Sequence, residues 1–191
     1  SFPITSNLTE DKLFNQTIDP YLKNIEKNIL EICEFGFSEI MNNVLSYSET
    51  ENCKIYFKKN VGNISIKIED DGVGIFNKLV DHFSLENEYH SILELSKGKV
   101  TTDPVQHAGK GVYFVSRLFD KFCMQSSGIS WTHNLERDQW TVVKGEKKGG
   151  TSVILEINPF SKTTLKEVIN KYSTNGRLIF DRTCVPVSLS K

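Results

Sequence analysis

The chain has 191 residues, 38% of them apolar and 25% charged, and its 23 Lys and Arg against 24 Asp and Glu leave a formal charge of −1. That length holds one domain with a sizeable core, with room for a short piece of a second. The even charge balance excludes a global field that would draw the protein to DNA or to anionic lipid.

No run approaches the roughly 18 apolar residues of a membrane span, and the N-terminus has neither the basic nor the apolar region of a signal peptide. Cys33, Cys53, Cys123 and Cys184 lie far apart without metal-ligand spacing, which predicts a cytoplasmic protein with reduced thiols. The missing initiating Met predicts a chain cut from something longer, or processed.

Residues 1–9 read as an irregular lead-in containing Pro3. From 11 to 48 the pattern is helical, with Leu13, Phe14, Ile18, Leu22, Ile25, Ile29 and Ile32 at spacings of three and four. Asp19-Pro20 divides a short first helix from a long second, because proline opens a helix and interrupts one. Gly36 is a second candidate break. Beyond it Phe37, Ile40, Met41, Val44 and Leu45 trace one face, and Glu39 and Asn43, four apart, stack one turn above the other beside that stripe.

Residues 54–59 and 63–69 straddle a Val61-Gly62-Asn63 turn and predict an antiparallel hairpin. In the second strand Ile64, Ile66 and Ile68 alternate with Ser65, Lys67 and Glu69, so one face is buried. Asp70 follows where the strand meets the core, and Gly72 and Gly74 make a turn at which a ligand can come against bare backbone. Weak helical patterns occupy 79–83 and 89–95, and the hydrophilic stretch 98–107 reads as a mobile loop. Residues 109–119 open with glycines and continue with Val112, Val115 and Leu118 at helical spacing. Strands follow at 122–127, 129–134, 139–144 and 151–157, then a helix at 163–172 and further β structure at 177–180 and 184–189. A boundary near 158–162 would separate a unit of residues 1–158 from an extension of residues 159–191. The order predicts an α/β (α+β) two-layer sandwich whose mixed, mostly antiparallel sheet is covered on one face by helices.

Gly109-Lys110-Gly111 at a helix N-terminus offers unpaired N–H groups and a cation to an anion; the same glycines could equally be packing residues. The Asp70–Gly74 turn, taken alone, is also an ordinary loop. His82, His90, His107 and His133 lack the HExxH spacing of a metal site and read as surface or locally bonded residues, with His107, beside the glycine loop, a candidate phosphate contact. Trp131 and Trp140 read as sheet and core residues.

Joint occurrence in order is more specific than any one motif. A helix carrying Glu39 and Asn43, the Asp70–Gly74 turn, a loop, Gly109–Gly111, and Gly149-Gly150-Thr151 entering a strand resemble the motif set of the GHKL ATPase superfamily over residues 20–157. DNA gyrase B subunits, MutL, heat-shock-type chaperones, histidine kinases and anti-sigma-factor kinases share this Bergerat nucleotide-binding fold. EIMNN and HAGKG are most similar to the histidine-kinase and anti-sigma-factor-kinase branch, and the tail after Lys162 resembles the beginning of a STAS-like domain.

The resemblance implies Mg-dependent ATP binding with ATP hydrolysis or protein phosphorylation in bacterial signalling; the alternative is a non-catalytic ATP-sensing interaction module. Asn43 would hold Mg²⁺, and Glu39 would polarise the attacking hydroxyl or water. Asp70 would accept from the exocyclic amine of adenine, with Thr151 supporting that contact through its hydroxyl and a water. Gly109, Lys110 and Gly111 would cradle the phosphates, while Lys97, Lys99, Thr101 and Thr102 would belong to a closing lid. The implied partner is a protein, or a STAS-like domain in cis; the sequence itself shows no evident basic groove for nucleic acid in this segment. Tyr47 stands where this branch often has His, a departure that bears on any proton relay behind Asn43; no phosphoacceptor-His helix is read before the domain, so a complete histidine kinase is not expected.

Overall fold

A computed structural model describes residues 2–3, 8–98, 111–145, 149–173 and 187–189. Along the chain lie β1 (Phe2–Pro3), α1 (Glu10–Thr17), a 3₁₀ turn (Asp19–Tyr21), α2 (Lys27–Tyr47), β2 (Asn52–Lys59), β3 (Ile64–Asp70), α3 (Ile75–Phe83), α4 (Glu88–Lys97) and α5 (Gly111–Leu118). There follow β4 (Lys121–Ser126), β5 (Ile129–Asn134), β6 (Gln139–Lys144), β7 (Thr151–Ile157), α6 (Leu165–Tyr172) and β8 (Val187–Leu189).

Local chemistry sets most of these boundaries. Thr9 accepts from the Lys12 N–H at the start of α1, Asn87 from Tyr89 and His90 at the start of α4, and Thr164 forms a capping box with Glu167 at the start of α6. Pro20 falls in the 3₁₀ turn that parts α1 from α2. The break expected at Gly36 does not occur. Gly36 lies inside α2, where a Cβ would come within 2.4 Å of the Phe119 ring, so it is a packing glycine that lets α2 and the end of α5 approach.

The sheet runs β1-β2-β3-β7-β4-β5-β6-β8. Every described pairing is antiparallel except that of β8 with β6. β7, late in sequence, is inserted between β3 and β4, so those two strands are parallel to each other and the helical crossover α3–α4–α5 spans the gap. Alternation gives the sheet two unlike faces. Ile64, Ile66 and Ile68 of β3, Val153, Leu155 and Ile157 of β7, and Phe122 and Met124 of β4 are buried beneath the helices. The opposite face carries a cross-strand row of Lys54, Glu69, Ser152, Gln125 and Ser130. The architecture is the two-layer α+β sandwich, with α2 against β3 and β7 and with α3 and α5 against β4.

Trp131 and Trp140 are core residues, stacked with ring centroids 5.3 Å apart. His133 is buried and stacked on Trp140, its Nδ1 2.7 Å from the Ser116 carbonyl. Arg117 of α5 is buried with its guanidinium 3.7 Å from the Tyr113 ring centre, donating to the Tyr113 carbonyl and the Ser116 hydroxyl. Among the described residues no helix is long and apolar enough to cross a membrane.

Candidate functional site

Asp70 ends β3, and its Oδ1 accepts from two backbone N–H groups, Gly72 at 2.9 Å and Thr151 at 3.2 Å. One is local and closes the turn. The other comes from the first residue of β7, so the carboxylate ties together two strands that are neighbours in the sheet but 81 residues apart in sequence. Burial pushes the Asp70 carboxyl above the ordinary carboxylate range; the two N–H donors pull it back, and the charge of Asp71 adds to the rise. Among the described residues none donates to Oδ2.

The backbone around this carboxylate leaves no room for side chains. A Cβ on Gly72 would stand 1.9 Å from the Ser48 carbonyl oxygen, which accepts from the Val73 N–H at 3.0 Å. A Cβ on Gly150, whose φ is +76°, would stand 1.9 Å from the Asp70 carbonyl oxygen. Gly74 precedes α3 as its N-terminal cap residue. The Thr151 hydroxyl accepts from the Ile75 N–H at 2.9 Å and so caps α3 from across the sheet. Thr151 therefore acts twice, through its N–H on Asp70 and through its Oγ1 on α3.

The Ser48–Val73 contact fixes the C-terminal end of α2 to this turn. Asn43, half-buried, lies five residues upstream of Ser48, about 7.5 Å along the helix axis, and Glu39 lies a further turn back. Glu39 is half-buried, and its Oε2 is where a Cβ on Gly111 would fall, 1.9 Å away. The carboxylate thus lies against the first residue of α5, and glycine at 111 leaves it that space. One helix, α2, accordingly carries Glu39 and Asn43 between the start of α5 and the Asp70 turn.

Other expectations meet the structure less directly. Lys97 is the last residue of α4, paired with Glu94 at 2.5 Å and followed by Gly98 in a left-handed conformation that ends the helix; it is not in a loop. Lys99, Thr101, Thr102, His107, Gly109 and Lys110, and the loop expected over 98–107 apart from Gly98, lie outside the described residues. The hollow lined by Asp70 and Thr151, about 420 Å³, opens on the uncovered face of the sheet beside Lys67, Glu69 and Gln125, and neither Glu39 nor Asn43 lines it.

Three residues that the sequence did not single out help build the turn. Ser48 supplies the carbonyl for Val73, the Ser126 hydroxyl donates to the Gly150 carbonyl at 3.1 Å, and the Ser127 hydroxyl donates to Asn77 Oδ1 at 2.8 Å. None of the three carried a signal in the sequence, since each acts on a partner 24 or more residues away.

No family model matches the chain, and no curated protein does. Among solved structures it is similar to one described as the crystal structure of the N-terminal domain of a DNA repair protein, at 16% identity over 64% of this chain, with a TM-score of 0.37. The match covers 34% of that chain, so this chain spans about a third of its length.

Proposed function

We propose that the protein binds Mg·ATP between α2 and the Asp70 turn and hydrolyses it, or passes its terminal phosphoryl group to a protein, in signalling or regulation. The observation that carries this reading is the Asp70 carboxylate: one oxygen immobilised by two backbone N–H groups, the other without a donor among the described residues, at a turn bonded to the helix that bears Glu39 and Asn43. A carboxylate fixed in this way presents one acceptor in a set direction, which suits an exocyclic amine and disfavours a carbonyl at the same position. Adenine is therefore selected over guanine.

The donor set on α2 suits a magnesium nucleotide. Asn43 offers one neutral oxygen that would hold a magnesium ion, and such an ion would supply charge neutralisation to the phosphates. Glu39, one turn away, would accept the proton of an attacking hydroxyl or water, and Gly111 leaves its carboxylate room against α5. The sequence order of motifs from Glu39 to Thr151 supports the same assignment, as a member of the GHKL class.

Calorimetry with Mg·ATP, paired with a turnover assay, tests this. Binding is expected in the intact protein and in Glu39→Ala, with ADP or phosphoprotein formed only by the former. Loss of binding is expected in Asp70→Asn. Unchanged affinity in Asp70→Asn would overturn the reading, whereas Asp70-dependent binding without turnover would make the protein a nucleotide sensor that reshapes a protein contact.

A further inference from the structure

Three consecutive residues between α2 and β2 each hold a different part of the chain that follows β3. The Ser48 carbonyl accepts from the Val73 N–H at 3.0 Å. The Glu49 carboxylate pairs with Lys78 of α3 at 2.5 Å. The Thr50 hydroxyl donates to Asp71 Oδ1 and accepts from the Asn52 N–H at 3.2 Å. Asp71 precedes the Gly72–Gly74 turn, Val73 lies within it and Lys78 follows it, so the end of α2 is tied to that turn at three separated points.

Two of the three points are made by side chains, and the backbone at Glu49 shows that its side chain matters. Its φ is +57°, in the left-handed region where glycine is at ease and a residue with a Cβ is strained. A connection alone would be better served by glycine. The glutamate there reaches Lys78, yet its side chain is 63% exposed, and an ion pair so open to water adds little to stability. Its effect is on geometry. Held by Ser48 alone, the last turns of α2 would pivot about one hydrogen bond; the holds on Asp71 and Lys78 fix their direction.

We infer, resting on the nucleotide site proposed for this chain, that Glu49 and Thr50 are positioning residues that set the span between its purine end at Asp70 and its magnesium end at Asn43. Both act through α2 rather than on the nucleotide. A small shift of α2 leaves the Asp70 turn intact, because the Gly72 and Thr151 N–H groups that hold its carboxylate come from the turn itself and from β7. The same shift carries Asn43 and Glu39 away from where a base seated at Asp70 places its phosphates. A ligand that reaches only Asp70 is blind to the span. One that must reach both ends gains the second contact only when the first has delivered it to the right place.

The test compares adenosine with Mg·ATP by NMR titration of the full chain, with turnover measured alongside. Glu49→Gln combined with Thr50→Val keeps both shapes and removes both side-chain holds. Its adenosine affinity and melting temperature are expected to match those of the intact protein, while Mg·ATP binds about tenfold more weakly and turnover falls. Exchanging the ion pair, Glu49→Lys with Lys78→Glu, should restore the Mg·ATP affinity that Glu49→Lys alone loses, and this rescue carries the test should the double variant fail to fold. Unchanged Mg·ATP affinity in the double variant, or no rescue by the exchange, would overturn the inference and leave the nucleotide site standing. Equal weakening of adenosine and Mg·ATP would overturn it too, since the loss would then belong to the Asp70 turn. Binding of neither ligand by the intact chain would remove the nucleotide site and the inference together.

Discussion

The two ends of β3 carry turns that look alike in sequence and differ in kind. At the start, Asn60 and Asn63 close a reversal around Gly62, where an added Cβ would meet nothing within 4 Å. At the end, Gly72 is pressed against the Ser48 carbonyl and Gly150 against the Asp70 carbonyl. The first turn only returns the chain. The second joins the end of α2 through the Ser48 carbonyl, the start of α3 through the Thr151 hydroxyl and the start of β7 through the Asp70 carboxylate. A glycine in a short polar stretch therefore reports a turn, and the backbone packed against it reports a site.

That contrast can be broken by substitution. Gly150→Ala should have the largest effect, about 3 kcal/mol or more of lost stability in urea unfolding, because it combines a left-handed backbone with a clash on main-chain atoms. Asp70→Ala should cost about 1–3 kcal/mol by leaving the Gly72 and Thr151 N–H groups without their acceptor, whereas Asp70→Asn keeps an oxygen there and spares the fold. The two variants separate structure from recognition, since both should lose nucleotide binding.

The folded pKa of Asp70 lies above its ordinary 3.8, so the native state holds that proton more tightly than the unfolded chain. The native protein should lose stability relative to Asp70→Asn as pH rises from 3.8 through the folded pKa, read as a widening gap in melting temperature. His133 gives the opposite sign. Burial, with the nearby Arg117 charge, holds it below 6.5 against the pull of the Ser116 carbonyl and Asp138, so stability should fall as pH drops through 6.5, and His133→Gln should flatten that slope. Gly62→Ala should change stability by no more than about 0.5 kcal/mol, the smallest effect of the set.

Much of this architecture was written in periodicity. The alternation of Ile64, Ile66 and Ile68 gave β3 and its buried face, and β4 to β7 begin and end within a residue of where their patterns do. Gly36 was misread because local sequence registers a weak helix former and cannot register the Phe119 ring that requires it. The α3 pattern reads from 79, yet the helix starts at Ile75, because its first turn is held by the hydroxyl of Thr151 from a distant strand. Asp70 was legible as a carboxylate at a strand end and Thr151 as its companion through a hydroxyl, but the N–H that Thr151 donates to it was not, since that contact is set by sheet order. Residue pattern shows which face is buried; it does not show which strand lies alongside.

The place of β7 has a consequence for synthesis. A nascent chain emerging from the ribosome presents β3 and β4 long before the strand that must lie between them exists, and the sheet cannot close by pairing neighbours in order. High contact order of this kind slows folding, and until residues 151–157 arrive both flanking strands keep a raw edge. Expression of this protein should therefore depend on chaperones that shield such edges, and chains stalled before β7 should aggregate.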